Sequence, residues 1–324
     1  MMKLNMVQAI NLALKQEMEK DDKVIILGED VGKNGGVFRV TEGLWQQFGD
    51  ERVIDTPLAE VGIVGTSIGL SIAGMKPVCE IQFDGFLAPA LDQLISHAGR
   101  IRNRSRGRFH VQMVVRVPSG GGIRALEHHS EIIDTYLSHT PGIKVVVPAT
   151  PYDAKGLLIS SIRDKDPVAF LEPKKVYRAI KEEVPDEEYT IPIGEAKLVR
   201  EGDDITVIAW GAMVKTAMEA VVKIGEKYSI EVINLRSLKP LDTNAIIKSV
   251  KKSGRVVIVQ EGFRTLGFAA ELIALINEKA FLSLEAPVKR VTSYDVPTPL
   301  PKLEKYYLPS VDKVVNAIED MMRF

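Results

Sequence analysis

The sequence predicts an α/β protein built of two doubly wound domains, and three observations carry that prediction. Short β-branched runs alternate with helical stretches along most of the 324 residues. Several of these runs are apolar throughout, the pattern of strands buried on both faces of a mainly parallel sheet. The alternation stops at an acidic, proline-bearing stretch near 181–194 and then starts again, which reads as a linker between two cores. Helices interleaved with such strands cover both faces of a sheet, and at roughly 100–200 residues per domain the length suits two domains.

In chain order, Asn5 is placed to cap a helix over Met6–Met18. Strand runs follow at Val24–Leu27, Val53–Asp55, Val78–Ile81, Met113–Val117, Lys144–Val147 and Val168–Leu171. They make up a first domain, residues 1–180. The linker, 181–194, carries Pro185 and Pro192. A second, smaller domain, 195–324, has runs at Ile205–Ala209, Ile230–Asn234, Val256–Val259 and Val288–Val291 and ends in a helix near Phe324.

Composition excludes several classes. A net charge of −1 gives nucleic acid or an anionic membrane no global attraction. Cys79 is the only cysteine, so no intrachain disulfide forms, as suits a reducing compartment. With no base near it in sequence, Cys79 reads as an inert buried thiol. Glu17 and Glu19 argue against a transit peptide, and no apolar run reaches the roughly 18–20 residues of a membrane span. A cytoplasmic location is expected.

The usual phosphate cradles are missing. Gly28–Asn34 resembles a P-loop but is one residue short and ends in Asn. No GxGxxG follows a strand, and there is no CxxC, HExxH or EF-hand loop. The pair His128-His129 has no third metal ligand placed near it.

Five features could carry chemistry. Asp55-Thr56-Pro57-Leu58-Ala59-Glu60 follows a strand, and Pro57 holds the residue before it extended. Glu60 then opens a helix at the carboxyl edge of the sheet, where α/β folds bind ligands; the alternative is a carboxylate that complements the helix dipole. Gly62, Gly65 and Gly69 share one face of that helix. They suggest close approach by a ligand or another helix, or packing within the domain. Glu80–Phe86 is a strand running into a loop with two aromatics that could stack on a flat ring, Phe86 more than the core residue Phe83. Gly120-Gly121-Gly122 leads to Glu127-His128-His129-Ser130. That histidine is either an acid/base group near neutral pH or a solvated loop residue. Finally, Arg100, Arg102, Arg104, Arg106 and Arg108 recur at every second position, which suits an extended segment or loop. Without interleaved aromatics, acids of a partner chain match them better than nucleic acid.

Taken in order, these segments resemble one family. Gly28-Glu29-Asp30-Val31-Gly32, Gly35–Phe38, Thr41–Leu44, Asp55–Glu60, Glu80–Phe83, His129-Ser130, Pro141–Val146, Asp153–Leu158 and Ile208–Val214 together resemble the β subunit of the E1 component of 2-oxo-acid dehydrogenase complexes. The resemblance covers nearly the whole chain. It implies a transketolase-like pyrimidine-binding domain followed by a transketolase C-terminal domain. It also implies an α2β2 heterotetramer with an E1 α subunit and thiamine diphosphate at the α/β interfaces. Thiamine enzymes similar to this one hold the diphosphate and Mg²⁺ through Gly-Asp-Gly…Asn-Asn, which is absent here. The α subunit is therefore expected to hold that half of the cofactor.

The resemblance assigns roles residue by residue. Glu60 matches the glutamate that bonds N1′ of the aminopyrimidine and favours its imino form; to donate, it must hold a proton, which needs a buried, apolar setting. Leu58 matches the residue touching the bent cofactor. Phe86 stands where the family puts an aromatic, often Tyr, against the pyrimidine, and Gln82 is a cofactor-side residue. His129, not His128, is expected to help protonate the lipoyl sulfur as the acyl group passes to E2. Some family members bind a monovalent cation such as K⁺ through backbone carbonyls. The matching segments are Val111–Val114 and Ser161–Asp166, with Ser161, Asp164 and Asp166 among the ligands. The C-terminal domain carries no catalytic constellation; it is expected to pair around a twofold and to dock E2, with Phe324 as a contact. Leu171–Ala179 points toward a branched-chain 2-oxo acid, with pyruvate next. The competing readings are a split transketolase-type subunit and a non-catalytic scaffold.

Overall fold

The computed structural model describes residues 1–324. Its strands are β1 (Met2–Asn5), β2 (Val24–Gly28), β3 (Val53–Asp55), β4 (Lys76–Glu80), β5 (Val114–Ser119), β6 (Lys144–Val146), β7 (Val168–Pro173), β8 (Lys181–Val184), β9 (Lys197–Arg200), β10 (Ile205–Ala209), β11 (Ile230–Asn234), β12 (Ser237–Lys239), β13 (Val256–Val259) and β14 (Lys289–Val291). The helices of eleven residues or more are α1 (Met6–Lys20), α2 (Glu60–Ile72), α3 (Pro151–Arg163), α4 (Ala212–Ile224), α5 (Thr243–Ser253), α6 (Phe268–Ala280) and α7 (Val311–Met321).

Two sheets organise the chain. The first has the order β12-β6-β7-β5-β4-β2-β3 and the second β14-β13-β10-β11-β9. Every pairing within them is parallel except β12 on β6 and β9 on β11, the two antiparallel edges. The two-domain α/β reading therefore holds. Each expected strand is present, with ends displaced by one or two residues at most.

The core follows from the sequence pattern. Asn5 caps α1 as expected: Gln8 N–H donates to its Oδ1 at 3.0 Å, and its own N–H donates to Gln8 Oε1 at 3.0 Å. Met6, Ile10, Leu14 and Met18 recur on one face of α1, are at most 1% exposed, and share a cluster with Ala154, Leu157, Leu158 and Ile162 of α3. Burying such a side chain contributes about 1.5–3 kcal/mol. Across β4, β5 and β7, Arg116 is fully buried. Its Nη1 donates to Glu80 at 2.7 Å, and its Nε and Nη2 donate to Glu172 at 2.6 and 3.0 Å. The Tyr177 hydroxyl also donates to Glu172, at 2.5 Å. Burial disfavours the guanidinium, but Glu172 and Glu80 more than offset it and raise its pKa.

Two sequence readings meet unexpected structure. The stretch 181–194 begins with strand β8, which pairs antiparallel with β1. Lys155 then donates to the carbonyls of Pro185, Asp186 and Glu187, at 2.6, 3.1 and 2.9 Å. The chain beyond it also returns to the first sheet, because β12 adds an edge strand beside β6. The arginine run is not extended. Ile101–Arg104 is a helical turn followed by further turns to Gly107. Arg102 pairs with Asp166 of the same chain at 2.8 Å, and Arg104 donates to the Ser96 carbonyl at 2.6 Å. Of the two expected forms the loop is the nearer, opened by one helical turn, and such short turns follow neither helix nor strand periodicity.

Candidate active site

The carboxyl ends of β2, β3 and β4 stand side by side. Gly28 lies in register with Asp55 on one flank and Glu80 on the other. The loops leaving these strands therefore emerge at one edge, carrying Glu29, Thr56–Glu60 and Ile81–Phe86. Asp55 fastens the first of them: its carboxylate accepts the Gly32 N–H at 2.6 Å and the Lys33 N–H at 3.2 Å. After the extended Thr56-Pro57 step, Glu60 is the first residue of α2, as expected.

Glu60 is half-buried, and its carboxylate forms no hydrogen bond or salt bridge within the chain. Its enclosure is not complete in this chain alone. Beside it is Glu29, whose carboxyl is pushed up by burial and then by the negative charges of Glu60 and Asp30. Glu29 lies in the Gly28–Gly32 segment, and no local pattern marks it, because its adjacency to Glu60 arises only from strand register. Leu58 is 78% exposed and Val61 45% exposed, an apolar lip around the carboxylate. The glycine face of α2 is also open. A Cβ at Gly69 would touch nothing, and one at Gly62 only Ala59 at 3.7 Å. Packing within the domain therefore does not explain those two glycines.

His129 comes to this edge through a stack of short turns. The turn Asp84–Ala90 packs on α2 on one side and on the turn Glu127–His129 on the other. Gly85 permits the second contact, since a Cβ there would lie 2.5 Å from the His128 carbonyl oxygen and 2.7 Å from its Nδ1. The His129 ring packs against two phenylalanines, with centroid distances of 4.4 Å to Phe83 and 5.0 Å to Phe86. Its Nδ1 is buried without a hydrogen-bond partner. Phe86 is half-buried and meets Phe83 edge-on at 5.7 Å. Gln82 is half-buried, and its side chain makes no hydrogen bond within the chain.

The other site residues lie elsewhere. Ser161, in the last turn of α3, and Asp164 and Asp166, in the turn between α3 and β7, lie at the opposite edge of the sheet from Glu60. The Val111–Val114 segment does adjoin this turn: Val168 N–H donates to the Met113 carbonyl at 3.0 Å, and Gln112 donates to the Ile162 carbonyl at 2.9 Å. The side chains there are already engaged. Ser161 Oγ bonds the Leu157 carbonyl at 2.7 Å, Lys144 pairs with Asp164 at 2.6 Å, and Arg102 pairs with Asp166. What the turn can offer a cation is carbonyl oxygen. Phe324 is 70% exposed at the chain end.

The C-terminal domain carries no catalytic constellation of its own, but it holds the loop that leads to His129. Glu261 and Glu304 accept hydrogen bonds from the main chain of the Gly120–Gly122 loop. Nothing in the linear sequence could show this, because partners 140 and 182 residues apart meet only in the fold.

A thiamine diphosphate ring fits what this edge presents: an unpaired carboxylate, an exposed apolar lip, an aromatic wall and an orphaned imidazole nitrogen. Residues 2–180 match the family described as transketolase, pyrimidine binding domain, and residues 194–314 match transketolase, C-terminal domain. Fold and site thus define a transketolase-type subunit of the thiamine diphosphate-dependent enzymes. The chain is 51% identical to the pyruvate dehydrogenase E1 component subunit beta of Acholeplasma laidlawii, over 99% of this chain and 98% of that protein. It is 48% identical to the Staphylococcus aureus protein of the same name, over the full length of both. Among solved structures it resembles a split gene transketolase described as an inactive beta4 tetramer, with a TM-score of 0.82 over 99% of this chain and 98% of that one. At 21% identity, that likeness is one of fold. The chain belongs to the family of E1 β subunits of 2-oxo-acid dehydrogenase complexes.

Proposed function

We propose that this chain supplies the pyrimidine side of a thiamine diphosphate site in an α2β2 E1, and that the assembled enzyme decarboxylates pyruvate and passes the acetyl group to a lipoyl arm of E2. The observation that carries it is Glu60, a carboxylate without an intrachain partner, set at the carboxyl edge of the sheet beside the exposed Leu58. Bound there, thiamine diphosphate would supply the nucleophilic carbon and the electron sink. Glu60 would hold a proton at N1′ of the pyrimidine, and an enclosing α subunit would exclude water from that bond. Leu58 would support the bent cofactor, Phe86 would face the ring, and Gln82 would offer a nearby polar group. His129, packed against Phe83 and Phe86, would deliver a proton to the lipoyl sulfur. The diphosphate and Mg²⁺ fall to the α subunit because this chain has no Gly-Asp-Gly. A monovalent cation at the Ser161–Asp166 turn and an E2 contact at Phe324 complete the proposal.

Pyruvate is chosen over a branched-chain acid because the relatives at 51% and 48% identity are pyruvate dehydrogenase subunits. They lend no support to the branched-chain preference expected from Leu171–Ala179. One or two methylenes contribute only about 1–3 kcal/mol of discrimination, so minor turnover of larger acids is expected. The test is reconstitution with an α subunit, thiamine diphosphate and Mg²⁺, supplied in turn with pyruvate, 2-oxoisovalerate and a ketose phosphate with an aldose acceptor. Pyruvate should turn over fastest. Faster 2-oxoisovalerate would overturn the substrate assignment, ketol transfer would favour the split-transketolase reading, and no decarboxylation of any acid would sink the enzymatic reading.

A further inference from the structure

The segment from Gly120 to Asp134 carries the His129 turn, and the C-terminal domain holds it at both ends. At the leading end, Gly121 N–H donates to Glu261 Oε1 at 2.6 Å and Gly122 N–H donates to Glu304 Oε1 at 2.7 Å. Glu261 lies just beyond β13, and Glu304 opens the short helix Glu304–Tyr307. Both carboxylates are buried, at 6% and 5% exposure. At the trailing end, the Trp210 indole N–H donates to Asp134 Oδ2 at 3.0 Å.

The triple glycine follows from this arrangement. Gly120 and Gly122 have φ of +77° and +89°, a region that favours glycine. A Cβ at Gly120 would lie 2.7 Å from Glu261 Oε1, and one at Gly121 would lie 3.0 Å from Glu304 Oε1. Side chains there would push the main chain off the two acids. Between the clasped ends Ile123, Arg124, Leu126, Glu127 and His128 are exposed, and the middle of the segment is held by the packing of the Glu127–His129 turn on Asp84–Ala90. These two contacts tie the leading end to the C-terminal domain, while the Gly120 N–H donates within the segment to the Glu131 carbonyl at 3.0 Å.

We propose that Glu261 and Glu304 are positioning residues for His129, the means by which the C-terminal domain sets where the histidine-bearing segment stands. This rests on the reading of His129 as the proton donor in acyl transfer. The two acids touch no reacting atom; they act through the Gly121 and Gly122 amides.

The test uses the reconstituted α2β2 holoenzyme with Glu261→Ala, Glu304→Ala, both together, and the matching Gln variants. Gln keeps an oxygen for the amide, so it is the conservative rescue, and it also shows that an Ala effect is not simple misfolding. In the Ala variants, acetyl transfer to lipoyl-E2 should fall about tenfold or more, while decarboxylation read with an artificial electron acceptor changes less than about threefold. Gln should restore most of the loss. Amide hydrogen exchange of residues 120–131 in the assembled enzyme should rise in the Ala variants and return in the Gln variants. Unchanged exchange in that segment, or an equal fall in both half-reactions that Gln does not rescue, would overturn the proposal. His129→Ala run beside them separates the premise. If that variant does not split the half-reactions, the reading of His129 fails, while the exchange result still decides for or against the clasp.

Discussion

The imidazole of His129 stands 4.4 Å, centroid to centroid, from the ring of Phe83, tilted by 60°, and its Nδ1 is buried with no partner. A histidine merely solvated on a loop would not be wedged in this way. His129→Ala should lower reductive acylation by roughly 10²-fold, the usual contribution of a positioned acid or base, and should lower decarboxylation much less. Stopped-flow measurement of the two half-reactions checks it. Small, equal effects on both would remove His129 from the mechanism.

Glu60→Gln should assemble normally with the α subunit, because the carboxylate supports no contact within the chain. Decarboxylation should fall by about 10²-fold or more. Gel filtration reports assembly and CO2 release reports rate. A nearly normal rate in an intact tetramer would show that Glu60 is only a helix-end charge.

Gly85→Ala introduces a methyl that would lie 2.5 Å from the His128 carbonyl oxygen. The turn carrying the two histidines must then move. Overpacking of this kind costs about 1–3 kcal/mol, so the melting temperature should drop and acyl transfer should weaken with it. A variant as stable and as active as the parent would mean that the two turns are not tightly apposed in solution.

Asp134 sets a pH dependence. Burial pushes its carboxyl up to about 6, against the opposing hydrogen bonds from Trp210 and Thr135. A raised carboxyl pKa means that the folded state binds the proton more tightly than the unfolded state. The stability this contributes is present below the ordinary pKa near 4 and is lost as pH rises through 6. Asp134→Asn cannot ionise yet can still accept from Trp210. Its stability relative to the parent should therefore improve between pH 4 and pH 6, by up to about 3 kcal/mol at 1.36 kcal/mol per pKa unit. Urea titrations at several pH values give the difference directly, and a flat difference would rule out this linkage.

Much of the molecule is legible without coordinates. Apolar, β-branched runs such as Ile205–Ala209 and Val256–Val259 mark buried parallel strands, because such strands need apolar side chains on both faces. Asn5 announces α1, because a cap is a local interaction over three residues. Glu60 could be placed at the start of α2 for the same reason. The arginine run left an extended segment and a loop both open, since turns impose no period, and the structure makes it a helical turn and a loop. The edge strand β12 was invisible because a three-residue strand lent to another domain's sheet carries no pattern of its own.

Local spacing and order thus determine the two α/β units, the position of Glu60 at a helix start, and a resemblance that names the chemistry. The tertiary structure decides the rest. It sets Glu29 beside Glu60 through strand register, packs His129 against Phe83 and Phe86, and leaves Gly62 and Gly69 of α2 open. It also brings Glu261 and Glu304 to the Gly120–Gly122 loop from the other domain. These are contacts between residues far apart in the chain, and the sequence leaves them unstated because either partner alone is an ordinary residue in an ordinary element.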